Sequence, residues 1–283
     1  MEIKRVGVVG AGTMGNGIAQ VFAQSGFDVV LSDVTDAILD RAVALIGGSM
    51  DRMIKKEKMT AAEKDAALKR ITKTTNLKAM ADCDIIIEAI IEDFAAKQKM
   101  FAELDRLAKA CAILATNTSA ISITRIAACT KRPAEVIGMH FMNPVPMMAL
   151  VEIVRGIATS DETYRSTEDL AKKLGKTPVE VNDYPGFVSN RVLMPMINEA
   201  CYTLMEGVAT KEAIDTVMKL GMAHPMGPLA LADLIGLDIC LSIMEVLYEG
   251  FSDSKYRPCP LLRKMVTAGY LGRKTKRGFY TYE

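Results

Sequence analysis

One of only two histidines among the 283 residues, His140, stands in Gly138-Met-His140-Phe-Met-Asn143-Pro144-Val-Pro146, at the end of a predicted strand. Imidazole changes charge near neutral pH, and in open α/β sheets ligands bind beyond the carboxyl ends of the strands. A histidine in that place suits chemistry in which a hydroxyl gives up or regains a proton as hydride moves. Glu152 follows 12 residues on, inside the apolar run Leu150-Val-Glu-Ile-Val154. A carboxylate in such a strand is costly unless paired, and His140 is the candidate cation. So paired, it would orient the ring and stabilise the imidazolium formed on proton uptake. Spacing alone leaves a second reading open, in which the histidine bonds to backbone and Glu152 faces solvent.

A second group of residues could hold a nucleotide. The strand Arg5 to Val9 runs into Gly10-Ala-Gly12-Thr13-Met14-Gly15, followed by an apolar helix to Ser25 and a second strand leading to Asp33, 18 positions past Gly15. With the strand before, the helix after and an acid at that distance, GxGxxG is the dinucleotide fingerprint. Gly10 permits the tight turn, Gly12 lets the pyrophosphate approach the helix N-terminus, and Gly15 packs helix on strand. Asp33 can accept hydrogen bonds from ribose hydroxyls, and its charge would repel a 2′-phosphate. The expected cofactor is therefore NAD rather than NADP.

The elements that must position these residues follow a repeating pattern up to about Val181: a short β-branched run, a turn, then an amphipathic stretch of helical length. Such alternation predicts a mainly parallel sheet covered by helices. The runs are Arg5 to Val9, Asp28 to Ser32, Ile71 to Thr75, Asp84 to Glu88, Ala112 to Thr116, Val136 to His140, Leu150 to Val154 and Thr177 to Val181. Residues from about Thr35 to Arg70 read as two helices, the second opening at the capping-box pattern Thr60-Ala-Ala-Glu63. After Asn182-Asp183-Tyr184-Pro185-Gly186 the strand signals stop and apolar-periodic segments take over, at Phe187 to Glu206, Thr210 to Leu220, Pro228 to Tyr248 and Pro260 to Ala268. The fold class is thus α/β, a Rossmann-type domain over 1–183 followed by an all-helical C-terminal domain over 184–283.

Composition bounds the function classes. Apolar residues make up 50% and charged residues 24%, as in a folded, soluble protein, and 35 basic against 34 acidic residues provide no global field for nucleic acid or a membrane surface. No apolar run reaches the ~18 residues of a membrane span, and the N-terminus leads straight into a strand, so the cytoplasm is the expected compartment. The six cysteines are scattered without a Cys-x-x-Cys pair, and no metal is expected. The 19 methionines are unusual, and could be core filler or an adaptable apolar surface.

Six separated motifs resemble, in order and over essentially the whole chain, the short-chain 3-hydroxyacyl-CoA dehydrogenase family, closest to its bacterial 3-hydroxybutyryl-CoA dehydrogenases. They are Gly10-x-Gly-x-Met-Gly15, Asn117-Thr-Ser119, His140-Phe-Met-Asn143-Pro144, Val151-Glu152, Pro185-Gly186-Phe187-x-x-Asn190-Arg191 and Gly269-Tyr270-Leu-Gly-Arg-Lys274-Thr-x-x-Gly278-Phe279-Tyr280. The resemblance implies that His140 is the general base or acid with Glu152 as its partner, and that Ser119 and Asn190 position the substrate. It implies NAD contacts at Gly10, Gly12, Thr13, Met14, Gly15, Asp33, Glu92, Lys97, Ser119, Asn143 and Lys274, although Lys97 and Lys274 also read as ordinary surface lysines. Ser49 and Lys56, seven residues apart and expected on one helix face, match positions that contact coenzyme A. A solvated basic face is the other reading of Lys55-Lys56-Glu-Lys58.

The reaction so implied interconverts (S)-3-hydroxybutyryl-CoA and acetoacetyl-CoA, in a homodimer whose helical domain closes on substrate and carries the subunit contact. Two departures from the family pattern, Met142 and Lys276-Arg277, leave chain-length preference and the cofactor edge undefined. A β-hydroxyacid dehydrogenase acting on a free acid shares the glycine motif, but that family lacks the His-Phe-x-Asn-Pro segment. A non-catalytic nucleotide-binding protein is the remaining alternative, and the presence of Ser119, His140, Glu152 and Asn190 together speaks against it.

Overall fold

Each of the eight β-branched runs forms a strand, with ends within one residue of expectation: β1 (Arg5–Val9), β2 (Asp28–Ser32), β3 (Ile71–Thr74), β4 (Ile85–Glu88), β5 (Ile113–Thr116), β6 (Val136–Phe141), β7 (Leu150–Arg155) and β8 (Thr177–Asn182). In the computed structural model, which describes residues 2–283, they make one sheet in the order β3-β2-β1-β4-β5-β6-β7-β8. The first six strands of that order reproduce the doubly wound dinucleotide-binding topology, with its crevice at the carboxyl ends of β1 and β4. All pairings are parallel except β6 with β7. The segment 142–149 between those two strands explains the reversal, because a parallel crossover needs a dozen or more residues. That short connection has a chemical consequence, since the antiparallel register sets His140 directly opposite Glu152.

Helices α1 (Thr13–Gln24), α2 (Asp36–Ile54), α3 (Ala61–Lys69), α4 (Phe94–Leu107), α5 (Ile123–Ala127) and α6 (Asp161–Lys173) complete this part of the chain. The helix α3 opens as expected: the Thr60 side chain accepts from Glu63 N–H at 3.2 Å, and the Glu63 carboxylate accepts from Thr60 N–H at 2.7 Å. These bonds from Thr60 hold the Glu63 carboxyl below its usual range. Helix α2 stops earlier than its basic run suggested. Glu57 turns left-handed at φ 57°, and Lys58 N–H returns to the Met53 carbonyl at 3.0 Å, a Schellman-type ending. Lys56 therefore lies in the turn beyond the helix, and the expectation that it shares a helical face with Ser49 is corrected.

The chain divides into two compact units, Met1–Asp183 and Tyr184–Glu283. The second is built from α7 (Ser189–Met205), α8 (Lys211–Gly221), α9 (Pro228–Ile235), α10 (Leu237–Phe251) and α11 (Pro260–Thr267). The segment expected as one helix from Pro228 to Tyr248 is two, because Gly236 adopts φ 107°, a conformation closed to side-chain-bearing residues. Around a core that includes Met194, Leu229, Leu237, Met244 and Leu262, two buried carboxylates tie down the C-terminal tail. Asp233 accepts from Phe279 N–H at 2.9 Å and Tyr280 N–H at 2.8 Å, and Asp215 accepts from the Tyr280 hydroxyl at 2.9 Å. Gly278 must be glycine there, for a β-carbon would stand 1.9 Å from Asp233 Oδ1. Among the described residues, no helix is long and apolar enough to cross a membrane.

Candidate active site

The three motif glycines divide their work. Gly10, at φ 98°, turns the chain out of β1 so tightly that a β-carbon would sit 2.5 Å from the Ala89 carbonyl at the end of β4. A β-carbon on Gly15 would lie 1.7 Å from the Gly10 carbonyl oxygen. At Gly12 nothing lies within 4 Å of that position, and this residue begins α1 with no side-chain cap and no acid in the first turn. An open cradle at an uncapped helix N-terminus fits a pyrophosphate. Thr13 is exposed beside it, and Met14 packs partly on the core.

Asp33, just past the end of β2, accepts from Ala11 N–H at 2.6 Å and Val34 N–H at 2.7 Å. The carboxylate expected to meet the ribose thus also braces the glycine turn.

The loop after β4 carries a network that the sequence reading only partly found. Glu88, the last residue of β4, is fully buried and accepts from Ile90 N–H at 2.7 Å and from the Thr116 hydroxyl at 2.8 Å. Lys97, 1% exposed, reaches it from α4 at 2.6 Å and lies 3.3 Å from Glu92. The reading of Lys97 as a surface lysine is corrected. Glu92 in turn accepts from the Thr118 hydroxyl, from Ser119 N–H at 2.9 Å and from Ala120 N–H at 3.2 Å. Burial of both charges is tolerable only because each is paired and hydrogen-bonded. The missed residue, Glu88, had a signal: a lone carboxylate closing the run Ile85-Ile-Ile-Glu88.

His140 and Glu152 meet as their cross-strand register requires. Nδ1 of the imidazole lies 2.7 Å from Glu152 Oε2, and the two residues are only 6% and 2% exposed. A carboxylate at Nδ1 keeps the proton on that nitrogen and makes Nε2 the basic one. Asn117, buried after β5, accepts from Phe141 N–H at 3.0 Å and so fixes the end of β6 next to the histidine. The reading of Glu152 as solvent-facing is overturned.

Asn143 is exposed beyond β6, Ser49 is half-buried on α2 and Lys56 is exposed. In the second unit, Asn190 is buried in the first turn of α7, and Lys274 pairs with Asp238 at 2.6 Å.

Residues 5–184 match the family model of the 3-hydroxyacyl-CoA dehydrogenase NAD-binding domain, and residues 186–282 that of the 3-hydroxyacyl-CoA dehydrogenase C-terminal domain. The chain belongs to the 3-hydroxyacyl-CoA dehydrogenase family. A probable 3-hydroxybutyryl-CoA dehydrogenase of Bacillus subtilis is 59% identical over 283 residues, which cover 100% of this chain and 99% of that one. A 3-hydroxybutyryl-CoA dehydrogenase of Bradyrhizobium diazoefficiens is 58% identical over 280 residues, with 99% and 96% covered. The crystal structure of an (S)-3-hydroxybutyryl-CoA dehydrogenase from Ralstonia eutropha matches with TM-score 0.98 and 55% identity over the whole of both chains. As a 3-hydroxyacyl-CoA dehydrogenase the chain uses NAD, for which the Gly12 cradle and Asp33 are the structural match. For this dehydrogenase, a buried imidazole with a fixed tautomer can move one proton at a substrate oxygen, and the Glu152 carboxylate can offset the charge that forms.

Proposed function

We propose that the enzyme interconverts (S)-3-hydroxybutyryl-CoA and acetoacetyl-CoA with NAD. The single observation that carries the chemistry is the buried 2.7 Å contact between His140 Nδ1 and Glu152. The substrate assignment rests on relatives at 58–59% identity whose names specify the four-carbon thioester.

In the oxidative direction, His140 Nε2 takes the proton of the 3-hydroxyl as hydride leaves C3, and the C–O bond becomes a carbonyl. NAD, when bound, supplies the hydride acceptor. Glu152 holds the ring through Nδ1 and offsets the imidazolium charge. In reverse, His140 returns the proton to the ketone oxygen. Ser119 and Asn190 are assigned to the substrate, and Ser49 and Lys56 to its coenzyme A portion. Asp33, Glu92, Lys97, Asn143 and Lys274 are assigned to the cofactor, with Lys97 acting through its pairing to Glu92 because it has no solvent-facing surface.

A homodimer formed through the second unit is part of the same proposal. Val192, Val208, Val217, Leu220 and Met222 are each at least 59% exposed there, an apolar surface of the kind subunit contacts cover. The cytoplasm is the proposed compartment.

The test is the fall in NADH absorbance on adding acetoacetyl-CoA, with NADPH and free acetoacetate in parallel. Rapid turnover confined to NADH and the thioester is expected. Turnover of free acetoacetate, or NADH binding without turnover on any acyl-CoA, would overturn the assignment.

A further inference from the structure

The sequence Asn182-Asp183-Tyr184-Pro185-Gly186 reads as a boundary between domains, a role for which any polar residue would serve at position 183. The structure gives Asp183 specific partners within its own unit. Its N–H donates to the Arg155 carbonyl at 3.0 Å, which anchors it to the end of β7. Its Oδ2 accepts from the Ser122 hydroxyl at 2.7 Å and from Thr124 N–H at 2.8 Å. Ser122 is also the N-cap of α5, accepting from Arg125 N–H at 3.2 Å. One carboxylate oxygen thus fixes the corner where the loop bearing Ser119 enters α5.

The other end of that loop is held by Glu92, through Thr118, Ser119 N–H and Ala120 N–H. Ser119 therefore sits on a short span clamped by a carboxylate at each side. Ile123, next to the Asp183 corner, is fully buried against β6: a β-carbon on Gly138, two residues before His140, would stand 2.9 Å from Ile123 Cδ1. Any shift of the corner would move the Ser119 loop relative to the strand that presents His140.

We propose that Asp183 is a positioning residue, whose carboxylate sets Ser119 against His140 by holding Ser122 and Thr124. This rests on the assignment of Ser119 to the substrate. It predicts that Asp183 and Ser119 are energetically coupled, as members of one hydrogen-bonded unit are.

The experiment is a double-mutant cycle on the full chain, reading kcat and KM for acetoacetyl-CoA and, by NADH fluorescence, the Kd for NADH. Asp183→Ala is expected to lower kcat/KM about tenfold, leave the NADH Kd within about twofold, and cost less than about twofold more in a Ser119→Ala background. Wild-type kcat/KM in Asp183→Ala, with Ser119→Ala impaired, overturns the proposal alone. An equal loss in both backgrounds also overturns it, since that marks a general structural effect. Wild-type turnover in Ser119→Ala removes the Ser119 assignment and this proposal together. Should Asp183→Ala fail to fold, Ser122→Ala removes one of the two donors and is held to the same criteria.

Discussion

The ammonium group of Lys97 lies 2.6 Å from the Glu88 carboxylate, with neither side chain more than 1% exposed. The pair braces the loop after β4, because Glu88 also accepts from Ile90 N–H and Lys97 also reaches Glu92. Removing one partner of a buried pair strands the other charge and costs about 3–5 kcal/mol. Lys97→Met is accordingly expected to lower Tm by about 10 °C, at roughly 2–4 °C per kcal/mol for a domain of this size. Adding Glu88→Gln should recover part of that loss, since no charge is then stranded. A Tm within about 2 °C of wild type for Lys97→Met would show that the pair contributes nothing to the fold.

The roles proposed for His140 and Glu152 are separable, and so their substitutions should separate too. Replacing His140 with Gln removes the proposed proton-transfer group and is expected to lower kcat by about 10²–10⁴-fold, the usual contribution of general acid–base catalysis. Binding of NADH should stay within about threefold, because His140 lies on β6 whereas the glycine turn belongs to β1. Glu152→Gln keeps the shape but lets the amide donate to Nδ1, which favours the wrong tautomer. We expect a fall in kcat smaller than that of His140→Gln, with the NADH Kd again unchanged. Steady-state turnover alongside fluorescence titration measures both, and an unimpaired His140→Gln would refute the assignment.

The eight strands were legible because each is a short β-branched run bounded by turn residues, and the capping box at Thr60 because its two bonds are local. His140 and Glu152 were legible as residue types in telling places. Their contact was not, since it depends on a register fixed by the short connection at 142–149. Glu88 was hidden at the end of an ordinary-looking strand, its importance set by Lys97 nine positions away on another element. The break at Gly236 was masked by an apolar periodicity that continues across it, and the early end of α2 by a lysine run that keeps good helix formers beyond Ile54. In each miss a tertiary or single-residue backbone event overrode a local pattern.

Gly12 and Gly15 stand three residues apart in one motif but meet opposite surroundings, which yields a paired test. Gly12→Ala adds a β-carbon into open space, and its φ of −65° suits any residue. Its Tm should therefore stay within about 2 °C of wild type while NADH affinity falls at least about tenfold, the methyl group occupying room needed by the pyrophosphate. Gly15→Ala forces a methyl onto the Gly10 carbonyl, so it should destabilise the fold by about 1–3 kcal/mol or more through overpacking. Calorimetry with and without NADH distinguishes the two; unaltered NADH affinity in Gly12→Ala would remove the glycine cradle from the cofactor site.

Asp84 joins β1 to β4 at the end of the sheet remote from the carboxyl-end crevice, and it supplies a pH-dependent test of the fold. Its Oδ2 accepts from Lys4 N–H at 2.7 Å and Arg5 N–H at 2.8 Å, while Oδ1 meets the Lys109 ammonium. Burial by itself would raise the carboxyl, but the bonds from Arg5, Lys109 and Lys4 outweigh it and hold Asp84 below its usual range. A group lowered in the folded state stabilises fully above its unfolded value of about 3.9, and that stabilisation is lost as pH falls through the lower folded value. Asp84→Asn retains an oxygen for the two amides but turns an amide toward Lys109, and should cost about 1 kcal/mol, kept small because Lys109 is partly solvated. The Tm difference between wild type and Asp84→Asn is therefore expected to be about 2–4 °C at pH 7, unchanged at pH 5.5, and to close below about pH 4. A difference that persists undiminished at pH 3 would mean that the substitution acts through packing rather than through the carboxylate charge.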